Sequence, residues 1–178
     1  MSLLATKSPF VAAFKSLGAL FLFIFFGLFL DSFYMLEITK HAQFYANITM
    51  YTGFTITLWN VSRRVKEQMI FAVIIAVLGE YLFSIVMGMY TYRLNNVPHY
   101  VPLGHALVYV AVLYFAKAKS IIKNRIKIER FLTIFILIYA TVFLVFKNDV
   151  FGFVMTIAIL FLLRNNQRER LFYLTMYI

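Results

Sequence analysis

Among the carboxylate and histidine side chains, three fall inside the apolar runs of this sequence and outside the basic clusters at their ends: Asp31, Glu80 and His105. A charged group costs several kcal/mol at the centre of a bilayer, so such residues face a protein interior or a water-filled cavity. A carboxylate and an imidazole that meet there can act as general acid and base on a bound molecule. We therefore predict these three residues as the catalytic candidates, with Glu80 and His105 as the principal pair.

Further polar side chains cluster around the connection that follows the run containing Glu80. Ser84 lies one helical turn after Glu80, and Tyr109 lies one turn after His105 on the next predicted helix. Because the connection is short, polar and rich in turn-forming residues, the two helices that it joins should be antiparallel neighbours. The predicted substrate-binding residues are Ser84, Tyr90, Tyr92, Arg93, His99 and Tyr109. Arg93 would receive an anionic group.

Three interpretations of this cluster are open. In the first, it is a buried polar network that fixes helix packing, with Glu80 hydrogen-bonded to Ser, Tyr or His. In the second, an enzyme uses Glu80 and His105 as acid and base on a lipid or isoprenoid substrate. In the third, the two residues belong to a transport or proton-relay path. Few polar residues lie inward of Glu80 on its helix, which counts against the transport path.

Known signatures of metal and cofactor sites are missing from the sequence. No HxxxH or HExxH spacing supports a zinc site, and P-loop, GxSxG and GxGxxG motifs are absent. The chain has no cysteine, which excludes disulfides, thiolate ligands and a cysteine nucleophile. We therefore expect no metal and no other cofactor.

The composition is that of a membrane protein. The chain is 63% hydrophobic and 13% charged, which is more apolar than a soluble core of this size can bury, so the excess must face lipid. The net charge of +10 comes from short basic clusters between apolar runs, which argues against nucleic acid as a partner. The expected partners are membrane lipids, a hydrophobic small-molecule substrate, and a second copy of the chain or another subunit of a membrane complex.

Six apolar runs predict an all-α, polytopic transmembrane bundle that forms a single domain over residues 1–178. Crossing a hydrocarbon core of about 30 Å takes about 20 helical residues. The predicted helices cover 16–36, 44–61, 68–90, 101–116, 128–146 and 150–163. The fourth and sixth are short, so local thinning of the bilayer or interfacial ends must complete their spans.

The distribution of Lys and Arg predicts the orientation of this bundle. With the N-terminus in the cytoplasm, fourteen of the 17 basic residues lie on the inner side and only Lys40, Arg93 and Lys147 lie on the outer side. Cytoplasmic loops are enriched in positive charge, so this orientation is strongly favoured. We expect a multi-pass protein of a bacterial inner membrane, with the polar cluster in the outer half of the bilayer.

Two further segments have alternative interpretations. The last eight residues, from Leu171, are too few to cross a bilayer; the sequence predicts either a chain truncated before a seventh helix, which we favour, or an interfacial tail. The basic stretch from Lys117 to Arg130 has lysines and isoleucines at helical spacing. It is either an ordinary positively charged inner loop or an amphipathic helix attracted by anionic headgroups.

The segment from Glu80 to His105 combines three elements in order. The glutamate is followed by Gly88-Met-Tyr-Thr-Tyr92, a G-x-Y-x-Y element, and then by a proline-rich turn that opens the next helix. This order resembles bacterial carotenoid-hydratase-type membrane proteins, over residues 80–105 only. Members of that family add water to a terminal double bond of a long isoprenoid chain inside the bilayer. The resemblance implies that Glu80, Tyr90 and Tyr92 line the substrate site, and His105 stands where the family pattern would have an aromatic residue.

Overall fold

The computed structural model describes residues 9–166 and 169–177, with side chains from Gly18 onward, and all regular secondary structure in these ranges is helical. The predicted all-α class is confirmed for this part of the chain. The α-helices are α1 (Pro9–Leu30), α2 (Phe33–Ile38), α3 (Ala42–Asn60), α4 (Arg63–Glu80), α5 (Tyr100–Lys117), α6 (Lys119–Lys123), α7 (Arg125–Lys147), α8 (Val150–Leu162) and α9 (Arg170–Tyr177). A π-helical segment, Tyr81–Val86, continues α4 without a break.

Three of the described helices are long and apolar enough to cross a membrane: Arg63–Val86, Tyr100–Lys117 and Arg125–Lys147. Only 17% of the apolar window of the first and 11% of that of the third is buried inside the protein, so lipid is the natural solvent for the remainder. Two shorter apolar helices cover Gly18–Leu30 and Val150–Leu162. Such helices are typical of a membrane protein.

The chain divides into two compact units. One, the site unit, extends from Lys15 to Ala111 and holds every predicted site residue. The other, the C-terminal unit, contains the described residues from Val112 onward and the beginning of α1. Each unit has its own buried side chains and is described by itself.

In the site unit, α1 ends earlier than the sequence predicts. The predicted helix 16–36 stops at Leu30, and a turn at Asp31 and Ser32 separates it from α2. Asp and Ser bond readily to nearby backbone groups, which favours caps and turns over helix interiors. Accordingly, the Ser32 hydroxyl accepts the backbone N–H of Met35 at 3.4 Å and caps α2. Asp31 thus lies in the turn between α1 and α2 and not within a continuous helix.

The helix containing Glu80 also ends earlier than predicted. Instead of 68–90, the helix extends from Arg63 to Val86, and its last six residues are π-helical. Gly88 follows with φ +61°, a left-handed conformation that glycine adopts without a Cβ penalty. The chain leaves the helix there, so Tyr90 and Tyr92 lie in the connection and not on the helix.

The helices of the site unit pack through small residues. On α3, Ala42, Ala46 and Met50 are almost fully buried and recur every four residues, which puts them on one helix face. A Cβ placed on Gly27 of α1 would lie 3.2 Å from the Met50 methyl carbon, and one on Gly104 of α5 would lie 4.0 Å from it. Met50 therefore fills a space between α1 and α5 that larger residues at these glycines would occupy.

The C-terminal unit has a separate core in which Ile136 of α7, Leu163 after α8 and Leu174 of α9 are buried together. Thr156 and Tyr177 share a hydrogen bond of 2.5 Å between α8 and α9. The segment from Leu171, expected as an interfacial tail or as the start of a further helix, is helical in its described part, which belongs to α9 (Arg170–Tyr177) and packs on its own unit.

The turn between α7 and α8 depends on a side-chain cap. Asn148 has φ +54°, and the Asp149 carboxylate accepts the backbone N–H of Gly152 at 2.8 Å. We predict that Asp149→Ala lowers the free energy of unfolding by about 1 kcal/mol, because it removes this N-cap. Asp149→Asn retains an acceptor and should stay close to the unchanged protein. Denaturant unfolding in detergent measures both, and equal losses in the two variants would contradict the capping role.

Candidate functional site

Glu80 is the centre of the site and lies at the junction between α4 and the π-helical segment. The residue is 8% exposed. Its Oε2 accepts hydrogen bonds from the hydroxyls of Tyr90 and Tyr92, both at 2.6 Å, and its Oε1 lies 3.1 Å from Nε2 of His105. Both carboxylate oxygens therefore have partners, as burial of such a group requires.

The early end of the helix makes this arrangement possible. In a continuous α-helix, Tyr90 would lie about 15 Å along the axis from Glu80, because each residue adds about 1.5 Å. The π-helical segment and Gly88 end the helix after Val86, and the chain turns back toward Glu80. π-helical segments are often found at functional sites. Here the segment brings two tyrosines of one connection onto a single carboxylate oxygen.

Tyr90 and Tyr92 are held as hydrogen-bond donors. Their rings meet edge to face with centroids 5.7 Å apart. Burial and the neighbouring Glu80 carboxylate raise the pKa of Tyr90 to about 12 and also raise the pKa of Tyr92. Both phenols therefore keep their protons over the physiological pH range, and both can continue to donate to Glu80.

His105 connects the buried carboxylate to the surface of the protein. Its side chain is 55% exposed, whereas that of Glu80 is 10% exposed. Only Nε2 of its ring makes a side-chain hydrogen bond among the residues that the structure describes. The other ring nitrogen is available to an incoming molecule. Glu80 and His105 thus form an acid–base pair in which one member is buried and the other is accessible.

A second carboxylate cluster is built around Asp31. Its Oδ1 forms an ion pair with Nη2 of Arg93, and its Oδ2 accepts the hydroxyl of Tyr100 at 2.9 Å. The side chains of Asp31 and Arg93 are only 8% and 15% exposed. Nε of Arg93 is buried and has no hydrogen-bond partner among the described residues, so Asp31 provides the main compensation for the guanidinium charge.

The two clusters are joined by the connection between the π-helical segment and α5. Tyr92 donates to Glu80, and the next residue, Arg93, binds Asp31. Because these donors are consecutive in the chain, the position of one carboxylate restricts the position of the other. The structure thus brings together six of the predicted site residues, namely Asp31, Glu80, Tyr90, Tyr92, Arg93 and His105, as two linked clusters.

The other predicted residues lie close in the sequence but do not all join these clusters. His99 is exposed, and its Nδ1 lies 3.3 Å from the Tyr51 hydroxyl. Ser84 is buried one turn after Glu80, inside the π-helical segment. Tyr109 is half-buried one turn after His105 on α5.

Two residues that the sequence analysis did not single out contribute directly. Tyr100 binds Asp31 through its hydroxyl, and its backbone N–H donates to Oδ1 of Asn47 at 2.9 Å. Asn47 therefore satisfies one of the free N–H groups at the start of α5 and ties α5 to α3. An asparagine within a predicted span was the available signal, because such a polar group needs a partner in an apolar environment.

No protein-family model matches the sequence, and neither the curated proteins nor the solved structures contain a match to it. Among the described residues, no group of three or more His, Asp, Glu or Cys side chains could hold a metal ion.

The Asp31–Arg93 ion pair provides a direct test of the second cluster. We predict that Arg93→Met lowers the free energy of unfolding by about 3–5 kcal/mol, because it leaves a buried charge without its partner. The double variant Asp31→Asn/Arg93→Met should be more stable than Arg93→Met, since it removes both charges and keeps an acceptor for Tyr100. Unfolding in detergent measures these differences.

The exposed pair Arg63–Glu67 is the matched control, with side chains 94% and 59% exposed. Arg63→Met should change the stability by less than about 1 kcal/mol, as expected for a surface ion pair. A loss from Arg93→Met no larger than that from Arg63→Met would show that the buried pair does not stabilise the site.

Proposed function

We propose that this chain is an integral membrane protein that acts on a lipid-like or isoprenoid-like substrate at the Glu80–His105 pair. The observation that carries the proposal is the contrast in exposure within the pair. A buried carboxylate bound to two tyrosines supports the function of an exposed imidazole 3.1 Å away. Such an arrangement suits a general acid–base pair, since the accessible member can exchange a proton with a substrate while the buried member positions it.

The surroundings of the pair favour an apolar substrate that enters from the side. The π-helical segment after Glu80 exposes large apolar side chains, among them Leu82, Ile85 and Val86, which are 46%, 54% and 75% exposed. In a bilayer these side chains contact acyl chains. A long hydrocarbon chain dissolved in the membrane therefore has access to the neighbourhood of His105 without crossing water.

The resemblance of residues 80–105 to carotenoid-hydratase-type proteins supports one specific reaction of this class. In a hydration, the Glu80–His105 pair transfers one proton to a carbon of the terminal double bond, and a water oxygen bonds to the other carbon. The proton released from that water returns to the Glu80–His105 pair, so that the pair ends as it began and no oxidant or reductant is needed. The rings of Tyr90 and Tyr92 would stabilise the positive charge that develops on carbon.

The orientation of the protein follows from its charges and is part of the proposal. The chain would cross the membrane about six times with its N-terminus in the cytoplasm, which places the Glu80–His105 pair in the outer half of the bilayer. The distribution of Lys and Arg supports this arrangement. The transport alternative is less well supported, because residues 69–79, which lie between Glu80 and the polar inner end of its helix, carry no polar side chain.

The test uses purified protein in proteoliposomes that contain an acyclic isoprenoid with terminal double bonds. Formation of the monohydroxylated product, read by mass spectrometry as the gain of one water, measures activity. We predict that Glu80→Gln and His105→Ala each lower the rate by about 100-fold or more, because each removes a member of the acid–base pair. Glu67→Gln, an exposed carboxyl on the same helix, should leave the rate unchanged.

Stability distinguishes this proposal from a purely structural role for the cluster. The His105 side chain is 55% exposed, so water can replace it as the partner of Oε1 of Glu80, and His105→Ala should keep most of the detergent stability of the unchanged protein while losing activity. If His105→Ala and Glu80→Gln instead unfold the protein and no product forms with the unchanged chain, the cluster only fixes helix packing. That outcome would favour the alternative of a non-catalytic subunit of a larger membrane complex.

A further inference from the structure

The segment from Lys117 to Arg130 in the C-terminal unit presents an exposed surface of alternating cations and isoleucines. It consists of the end of α5, the short helix α6 and the first turns of α7. Its exposed basic residues are Lys117, Lys119, Lys123, Lys127 and Arg130. Between them, Ile122 is 53% exposed and Ile126 is 74% exposed. We call this set the basic–isoleucine surface.

This surface is almost free of negative charge. Glu129 is the one acidic residue between positions 117 and 130. Its carboxylate lies 2.5 Å from Nε of Arg125, and the two side chains are only 14% and 29% exposed. The acid is thus neutralised within the protein, and the exposed lysines remain to interact with an external anion.

The surface is held in place by one fully buried side chain. Ile121 of α6 is 0% exposed, whereas the neighbouring Ile122 and Lys123 are exposed. α6 therefore has a side that is packed on the protein and a side that is not. Two exposed isoleucines in a basic segment have no partner in the described part of the chain that would remove them from water.

We propose that the basic–isoleucine surface binds the anionic headgroups of a phospholipid leaflet and inserts Ile122 and Ile126 among them. The segment joins two helices of membrane-spanning length, α5 and α7, so its residues lie at the level of the headgroups when those helices cross the bilayer. Lysines then meet phosphate groups, and the isoleucines reach the boundary of the acyl chains. This inference does not depend on the Glu80–His105 pair.

The absence of cysteine from the chain allows a direct measurement of insertion. Ile126→Cys is labelled with a polarity-sensitive fluorophore, and the protein is placed in nanodiscs of phosphatidylcholine alone or mixed with phosphatidylglycerol. Phosphatidylglycerol should shift the emission to shorter wavelength and increase quenching by brominated acyl chains. Each lysine removed should lower the equilibrium constant for binding of this surface to the anionic leaflet by about fivefold, the factor expected for one charge near an anionic surface.

The variants separate local binding from net charge. Lys123→Gln/Lys127→Gln in the labelled protein should abolish most of the response to phosphatidylglycerol. Arg63→Gln/Arg64→Gln, which removes the same charge from the start of α4, should leave the response intact. Equal effects of the two double variants, or an emission that does not depend on phosphatidylglycerol, would overturn the proposal.

Salt provides a second measurement on labelled protein without charge substitutions, so it does not depend on how the variants fold. Raising the ionic strength should reverse the shift caused by phosphatidylglycerol, because salt screens charges at a surface. A shift that persists at high salt would mean that the isoleucines enter the membrane without help from the lysines and would contradict the proposal.

Discussion

The burial of the Glu80 carboxylate is the constraint on which the rest of the site depends. A buried carboxylate needs hydrogen-bond donors on both oxygens, since an unpartnered one destabilises the folded state strongly. Tyr90 and Tyr92 donate hydrogen bonds to one oxygen of Glu80, and His105 is the partner of the other. Because the tyrosines follow Glu80 in the same chain, the helix must end early and the connection must turn back. The same turn brings Arg93 into contact with Asp31.

The residue types of this site were predictable from the sequence, because ionisable and phenolic groups within apolar runs need partners. Asp31, Glu80 and His105 were identified as the groups most costly to leave exposed to lipid. Their grouping with Tyr90, Tyr92 and Arg93 was predicted from the short connection between two helices. The all-α class was equally predictable, since long apolar runs without strand-like alternation leave helices as the main alternative.

The local geometry was not predictable in the same way. The apolar pattern continues through Val86 to Tyr90, and nothing in a helical periodicity shows where i→i+5 hydrogen bonds replace i→i+4 bonds. The turn at Asp31 was not predictable either. A single pair of polar residues, Asp31 and Ser32, inside an apolar run is compatible with a continuous helix. The role of Tyr100 gives no signal in the sequence, because a tyrosine at the end of a span is ordinarily an interfacial anchor. For Asp31 and Tyr100 the decisive partner also lies far away in the sequence, since Arg93 is 62 residues from Asp31 and Tyr100 is 69 residues from it.

A double-mutant cycle between Glu80 and Tyr92 measures the central interaction most directly. The stabilities of Glu80→Met, Tyr92→Phe and the double variant, compared with the unchanged protein in detergent, give the coupling free energy of the pair, because methionine, unlike glutamine, leaves no acceptor for the Tyr92 hydroxyl. The account predicts a coupling of about 1.5–3 kcal/mol, the range for a hydrogen bond to a charged group. Tyr81→Phe, at a tyrosine that is 54% exposed and adjacent to Glu80 in the sequence, should show no coupling. Additive effects for Glu80 and Tyr92 would contradict the account, because the carboxylate would then not depend on the tyrosine.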